Sequence, residues 1–316
     1  MTPQVKLIES KRLRSRPEWV KKWLSEDVWV ATLFILPSLF GMIVFVIWPT
    51  LKGFSLSFTN ATLTKGGDFV GWQNYSTLFH DKQFWNSMLI TTKYVLFNIP
   101  LQTVIAIGLA VLISRLTTST FVRLVIFLPY LIPMLMVTII WMSILDYLTG
   151  PINGILKNLW GSSAMIGFLN VHNVIISLAW INTWRHTGYN TLLFFAGLQG
   201  IPNDYYESAA LDGANEWQIF RHITFPLLRP VTVFVLVTSL IGSFQVFDSA
   251  MVIASPPGGP GGASRVIYWY ITSLAFSQFK MGYAATVAIA LFALSMLIAW
   301  VQLRWFKADT SEIASF

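Results

Sequence analysis

A chain of 316 residues that is 55% hydrophobic and only 11% charged does not fit a soluble globular protein, in which roughly a quarter of residues are charged. The solvent such a chain suits is lipid. The absence of Cys excludes a disulfide framework, thiol catalysis and Cys-ligated metal, and the net charge of +7, with no basic run interleaved with aromatics, encodes membrane orientation and no nucleic-acid partner.

Residues 1–27 form a polar, basic tail that leads straight into an apolar run. That run, Val28–Thr50, is too long for the core of a cleaved signal peptide and lacks a small-residue cleavage site, so it reads as a retained anchor. A crossing helix needs about 20 mostly apolar residues. Six segments qualify: Val28–Thr50, Met88–Ile113, Phe121–Leu145, Val174–Leu198, Val231–Ala254 and Tyr283–Trp305. The fourth is interrupted by Asn182, Arg185, His186 and Asn190. The expected fold is therefore an all-α integral membrane bundle of six transmembrane helices. Residues 28–87 hold the first helix and an external loop, residues 88–306 the core, and residues 307–316 a second tail.

Placing both termini in the cytoplasm puts thirteen Lys and Arg inside and six outside, with Lys93 and Arg185 within spans. That asymmetry is what the positive-inside rule requires. It predicts a multi-pass protein of the bacterial cytoplasmic (inner) membrane. Pro37, Pro100, Pro129 and Pro133 fall within or beside spans and are candidate bends. No inverted second half is visible, which points to a subunit that meets a partner.

Two connections carry information. Residues 199–230 are cytoplasmic in this topology. Asn203 or Asp204 starts a short helix, Gly213 breaks it, and a second helix over Glu216–Thr224 is ended by Pro226 and Pro230. Outside, Ser255–Gly262 is Pro- and Gly-rich and must be irregular. Val266–Phe279 then suits an interfacial or protein-covered helix.

Within the cytoplasmic connection, Glu207, Ala209, Gly213, Ile223 and Pro226 stand at a spacing that resembles the Glu-Ala-Ala loop of binding-protein-dependent ABC importer permeases, with Ser208 and Phe225 as departures. Gly258-Gly259-Pro260 and Phe244-Gln245-Val246-Phe247-Asp248 resemble the maltose-transporter-like, carbohydrate branch of that family. The resemblance runs from about Asn86 to Trp305. It implies a type I permease bundle in which Glu207, Ser208, Ala209, Asp212, Gly213 and Ala214 dock in a cleft of a cytoplasmic ATPase subunit. It also implies two such ATPases, a second permease in a heterodimer, and an extracytoplasmic solute-binding protein that delivers cargo, probed by the loop near Pro256–Gly262. The chain carries no phosphate-binding Gly-x-x-x-x-Gly-Lys-Ser/Thr loop, so ATP and Mg belong to the partner and this chain is not an enzyme.

Polar groups within spans are costly unless they face protein or water. Asn182, Arg185, His186 and Tyr189 follow i, i+3, i+4, i+7 and share a stripe with Asn190 close by. Ser239 and Ser243 share another face, with Gln245 and Asp248 beyond them. By resemblance, Tyr189 takes the place of a sugar-stacking Tyr, and Ser239 and Ser243 the places of polar contacts. These residues are the expected substrate path, and Arg185 with Asp248 is equally readable as an ion pair. Sugar is the expected cargo. Two alternatives stay open: glycerol-3-phosphate, polyamine or another small solute, for which Arg185 would be a ligand, and an ion-coupled secondary transporter.

Overall fold

The computed structural model describes residues 26–116, 119–253 and 258–305. It divides into two compact units between Ser55 and Leu56. In the first, α1 (Glu26–Met42) passes through one π turn (Ile43–Ile47) into α2 (Trp48–Leu56). Pro37 sits inside α1 without ending it.

Among its described residues, the second unit consists of helices and their connections, with one isolated bridge between Thr59 and Phe69. Its elements are α3 (Gln73–His80), α4 (Lys82–Leu116), α5 (Thr120–Leu131), α6 (Met134–Ile144), α7 (Pro151–Trp160) and α8 (Val174–Gln199). They continue with α9 (Asn203–Leu211), α10 (Glu216–Ile219), a π turn (Phe220–Thr224), α11 (Phe225–Leu227), α12 (Arg229–Phe244), α13 (Asp248–Ile253), α14 (Ile267–Thr272) and α15 (Met281–Trp305). The core is the seam of α4 along α8, joined by α12, α14 and α15. Lipid tails are as apolar as Leu, so helix contact in a bilayer rests on close packing and internal hydrogen bonds. Ala106 and Ala110, both fully buried, let α4 approach Phe194 and Leu198 of α8. Gly188 does the same on the other side of α8, where a Cβ would be driven into the Ile126 carbonyl oxygen of α5.

The count of six transmembrane helices is overturned. Among the described residues, four helices are long and apolar enough to cross a membrane: Thr32–Leu56, Lys82–Leu116, Arg229–Ile253 and Met281–Arg304. A fifth is reached only if α5 and α6 count as one span, and these meet at 92°. The bend has a chemical cause. Pro133 supplies no N–H and pushes Ile132 out of the helical region, to φ −77°, ψ 133°. The expected fourth span exists as the 26-residue α8, but Asn182, Arg185, His186 and Asn190 leave it too polar for a lipid-facing crossing. Pro226 and Pro230 also differ from expectation. Each stands in the first turn of a helix, α11 and α12, where a missing N–H is harmless, and neither ends one.

An outer cap closes the second unit. Asn74 donates to the Ser57 and Thr59 carbonyls (both 2.8 Å), and the Gly282 N–H donates to the Ala61 carbonyl (2.9 Å). Asp81, immediately before α4, accepts from the Tyr270 and Tyr283 hydroxyls at 2.6 Å each and from the Gln83 N–H at 2.8 Å. Burial pushes the Asp81 carboxyl up, but these donated hydrogen bonds outweigh it and hold the group below its ordinary value of 3.8. Burial and the same carboxylate push the Tyr270 hydroxyl up. Behind the Gly-rich connection, Ile267 and Tyr270 are buried while Tyr268 is exposed, so one face of α14 is covered by protein.

Candidate functional site

Four helices converge on a cavity of about 240 Å³. α4 contributes Tyr94, Asn98 and Gln102, and α5 contributes Tyr130. α8 contributes Asn182, His186, Tyr189 and Asn190, and α12 contributes Thr238, Ser239, Gly242 and Ser243. The wall is built by paired amides and hydroxyls. Asn98 Nδ2 donates to Ser243 Oγ and Gln102 Nε2 to Ser239 Oγ, each at 3.0 Å, so one face of α4 is zipped to one face of α12. Thr183 donates to Asn98 Oδ1 (3.0 Å) and Asn182 Nδ2 to Ser249 Oγ (3.0 Å), which ties α8 to α4 and α13. Asn190 Nδ2, by contrast, is buried with no hydrogen-bond partner among the described residues.

The aromatic side of the cavity is set by Tyr130 and Tyr189, whose rings stack with centroids 4.8 Å apart at 17°. His186 meets Tyr130 edge-on at 5.8 Å. Its Nδ1 lies 2.9 Å from the Asn182 carbonyl and its Nε2 3.2 Å from Arg185 Nη1. A carbonyl only accepts and a guanidinium only donates, so the imidazole carries its proton on Nδ1. Arg185 Nε donates to the Ile132 carbonyl at 3.0 Å, and the guanidinium lies 5.0 Å from the Tyr130 ring centroid. It makes no ion pair with Asp248 among the described residues.

Of the residues expected along the path, Asn182, His186, Tyr189, Asn190, Ser239 and Ser243 line this cavity, and Arg185 backs its Tyr130 wall. Gln245 and Asp248 are exposed and do not line it. Sequence reasoning missed Tyr94, Asn98 and Gln102, although i, i+4, i+8 spacing of polar groups in an otherwise apolar helix was a usable signal. Nothing in the local sequence pointed Tyr130 at the cavity, because its direction depends on the bend.

The loop after α8 has a defined geometry. α9 ends in a Schellman cap: the Ala214 N–H reaches the Ala209 carbonyl (3.0 Å) and the Gly213 N–H the Ala210 carbonyl (3.1 Å). Gly213 holds φ +77°, the left-handed conformation this cap needs. α10 then starts on a reciprocal capping box between Asn215 and Gln218. Glu207, Ser208, Asp212 and Gly213 are exposed, Ala209 and Ala214 partly so. Leu211, which the sequence did not single out, is 89% exposed. Glu216 forms an ion pair with Arg115 at the end of α4.

Residues 94–307 match the model of a family described as binding-protein-dependent transport system inner membrane component. The chain belongs to this family. It is thus a multi-pass inner-membrane permease subunit of an ABC importer, itself without catalytic activity, that works with an extracytoplasmic binding protein. The permease is 31% identical to a probable starch degradation products transport system permease protein of Thermoanaerobacterium thermosulfurigenes, covering 89% of this chain and 94% of the relative. It is also 31% identical to a trehalose/maltose transport system permease protein of Thermococcus litoralis, covering 88% and 94%. In fold, the permease resembles a chain of a bacterial ABC transporter that imports the acidic polysaccharide alginate, with a TM-score of 0.78 at 21% identity over 93% of this chain and all of that one. Among the described residues no three His, Asp or Glu are grouped to hold a metal ion.

Proposed function

We propose that the permease carries a neutral sugar or oligosaccharide, in the maltose-transporter-like branch of its family, with Tyr189, Asn190, Ser239 and Ser243 contacting the cargo in transit. The observation that carries this reading is the chemistry of the cavity. Its lining consists of amides, hydroxyls, one imidazole and aromatic rings, with no carboxylate, ammonium or guanidinium. Hydroxyl-rich rims and apolar C–H faces of a sugar match such a wall, and the unpartnered Asn190 amide has a donor to offer. An anionic cargo such as glycerol-3-phosphate meets no cation on this lining, because the Arg185 guanidinium lies behind it, against Ile132, His186 and Tyr130. The starch-product and trehalose/maltose assignments of two relatives support the same class.

In this reading the loop of residues 199–230 docks on an ATPase subunit through Glu207, Ser208, Ala209, Asp212, Gly213 and Ala214, and exposed Leu211 is covered there. Two ATPases use ATP and Mg, and a second, different permease completes the membrane unit. The charge asymmetry supports cytoplasmic termini; residues 1–25 and 306–316 lie outside the described residues, as do Pro256 and Pro257 of the loop expected to meet the binding protein.

The test is uptake by the assembled importer in proteoliposomes with labelled maltose, trehalose and glycerol-3-phosphate. Tyr189→Ala should lower neutral-sugar uptake about tenfold, the upper worth of one aromatic stack, while the ATPase still co-purifies. Uptake of glycerol-3-phosphate with none of either sugar would overturn the neutral-cargo reading.

A further inference from the structure

Tyr189 is the residue proposed to stack on cargo, yet in this structure its ring is already stacked. Tyr130 lies over it at 4.8 Å and nearly parallel. Tyr189 stays 37% exposed, so Tyr130 takes one face of its ring, and a sugar stacking on that face competes with the Tyr130 ring. The support of Tyr130 is unusual. It sits in the last turn of α5, between two fixed points: the contact of Ile126 with Gly188 one turn before it, and the 92° break between Leu131 and Met134 just after it. At the break the Ile132 carbonyl has left the helix, and Arg185 Nε donates to that carbonyl at 3.0 Å while its guanidinium also lies against the Tyr130 ring. A side chain next to a break can swing with a change in a few backbone angles, whereas one in mid-helix would have to move the whole element.

We propose that Tyr130 is a removable plug of the translocation path and a determinant of its specificity. Carried beside the Leu131–Met134 break and latched by Arg185, it covers one face of the Tyr189 ring until a cargo with a flat apolar face takes its place. For such a cargo one stack replaces another, and the exchange is close to balanced. A solute without such a face must separate the rings with nothing in return, so it is held out. The proposal rests on the reading of Tyr189 as a cargo-stacking residue.

The experiment uses the complete importer in lipid nanodiscs. This chain has no native Cys, so Ser239→Cys gives a single reporter in the cavity, and a methanethiosulfonate reagent, which has no ring to stack, is the probe. With labelling followed on this chain by mass, Tyr130→Ala should raise the labelling rate two- to tenfold, the range set by one aromatic pair. Tyr130→Phe, which keeps the ring, should leave the rate unchanged. An unchanged rate in Tyr130→Ala overturns the proposal, and so does an equal rise in Tyr130→Phe. General loosening is read separately with Thr286→Cys, a fully buried position on α15; a matching rise there also overturns it. Tyr189→Ala separates the two readings. If labelling rises in that variant while sugar uptake is intact, the cargo-stacking role falls and takes the specificity role of Tyr130 with it, leaving Tyr130 as a steric plug alone. If uptake falls but neither Ala variant changes labelling, the cargo role stands and the plug falls.

Discussion

Asp81 shows how one side chain can hold several elements together. Two tyrosine hydroxyls, from α14 and α15, converge on the same carboxylate oxygen just before α4 begins. Asp81→Asn should lower stability by about 1–2 kcal/mol, the worth of charge-assisted hydrogen bonds reduced for a partly exposed site. The pH dependence has a definite sign. Because the folded carboxyl titrates below its ordinary value, its contribution is fully present above about pH 4 and is lost as pH falls through the depressed value. Thermal unfolding in detergent should show a constant gap between the two proteins at neutral pH that narrows only in acid. Gly188 makes a second case. Gly188→Ala forces α5 off α8, and overpacking of this kind costs about 1–3 kcal/mol, measurable in the same melts. Neither role was legible from composition. Asp81 reads as a loop acid and Gly188 as one of many membrane glycines until partners far along the chain are in place.

Elements were far more legible where local chemistry decides them. Gly213 and Asn215 announce a helix stop followed by a helix start, and both caps form where the residues stand. Gly213→Asp should cost about 1 kcal/mol in left-handed backbone strain and add a negative charge at a helix C-terminus, where the dipole already disfavours it. No neighbour lies close to a Cβ at that position, so the bundle should stay intact. Loss of stimulated ATP hydrolysis, with normal yield of the membrane subunits, is the expected result, and unchanged hydrolysis would refute the docking role. The error over six crossings arose at this same scale. Hydropathy sums over Phe121–Leu145 passed across two prolines as if they were hinges in a continuous rod. Over α8 they located a helix but not how wet its surroundings must be to suit Asn182, His186 and Asn190.

Across the whole second unit, the polar groups that make the cavity are also what joins its helices. Asn98 links α4 to both α8 and α12. Asn98→Ala leaves Ser243 and Thr183 each without that partner, and a buried polar group so stranded costs about 1–3 kcal/mol. The variant should melt earlier and also transport poorly, whereas Gln102→Ala, which releases Ser239 alone, should be milder in the melt. The bend at Ile132 bears on how the chain is made. α5 and α6 have 12 and 11 residues, roughly 18 and 17 Å of helix, and neither alone reaches across about 30 Å of hydrocarbon. The side chain that satisfies the bent backbone, Arg185, lies 53 residues further along and does not exist when this segment leaves the ribosome. Until it arrives, one kinked crossing leaves fewer backbone groups unpaired in lipid than a right-angled turn. We expect the corner to form late, so that synthesis delivers a rod and the arrival of α8 folds it.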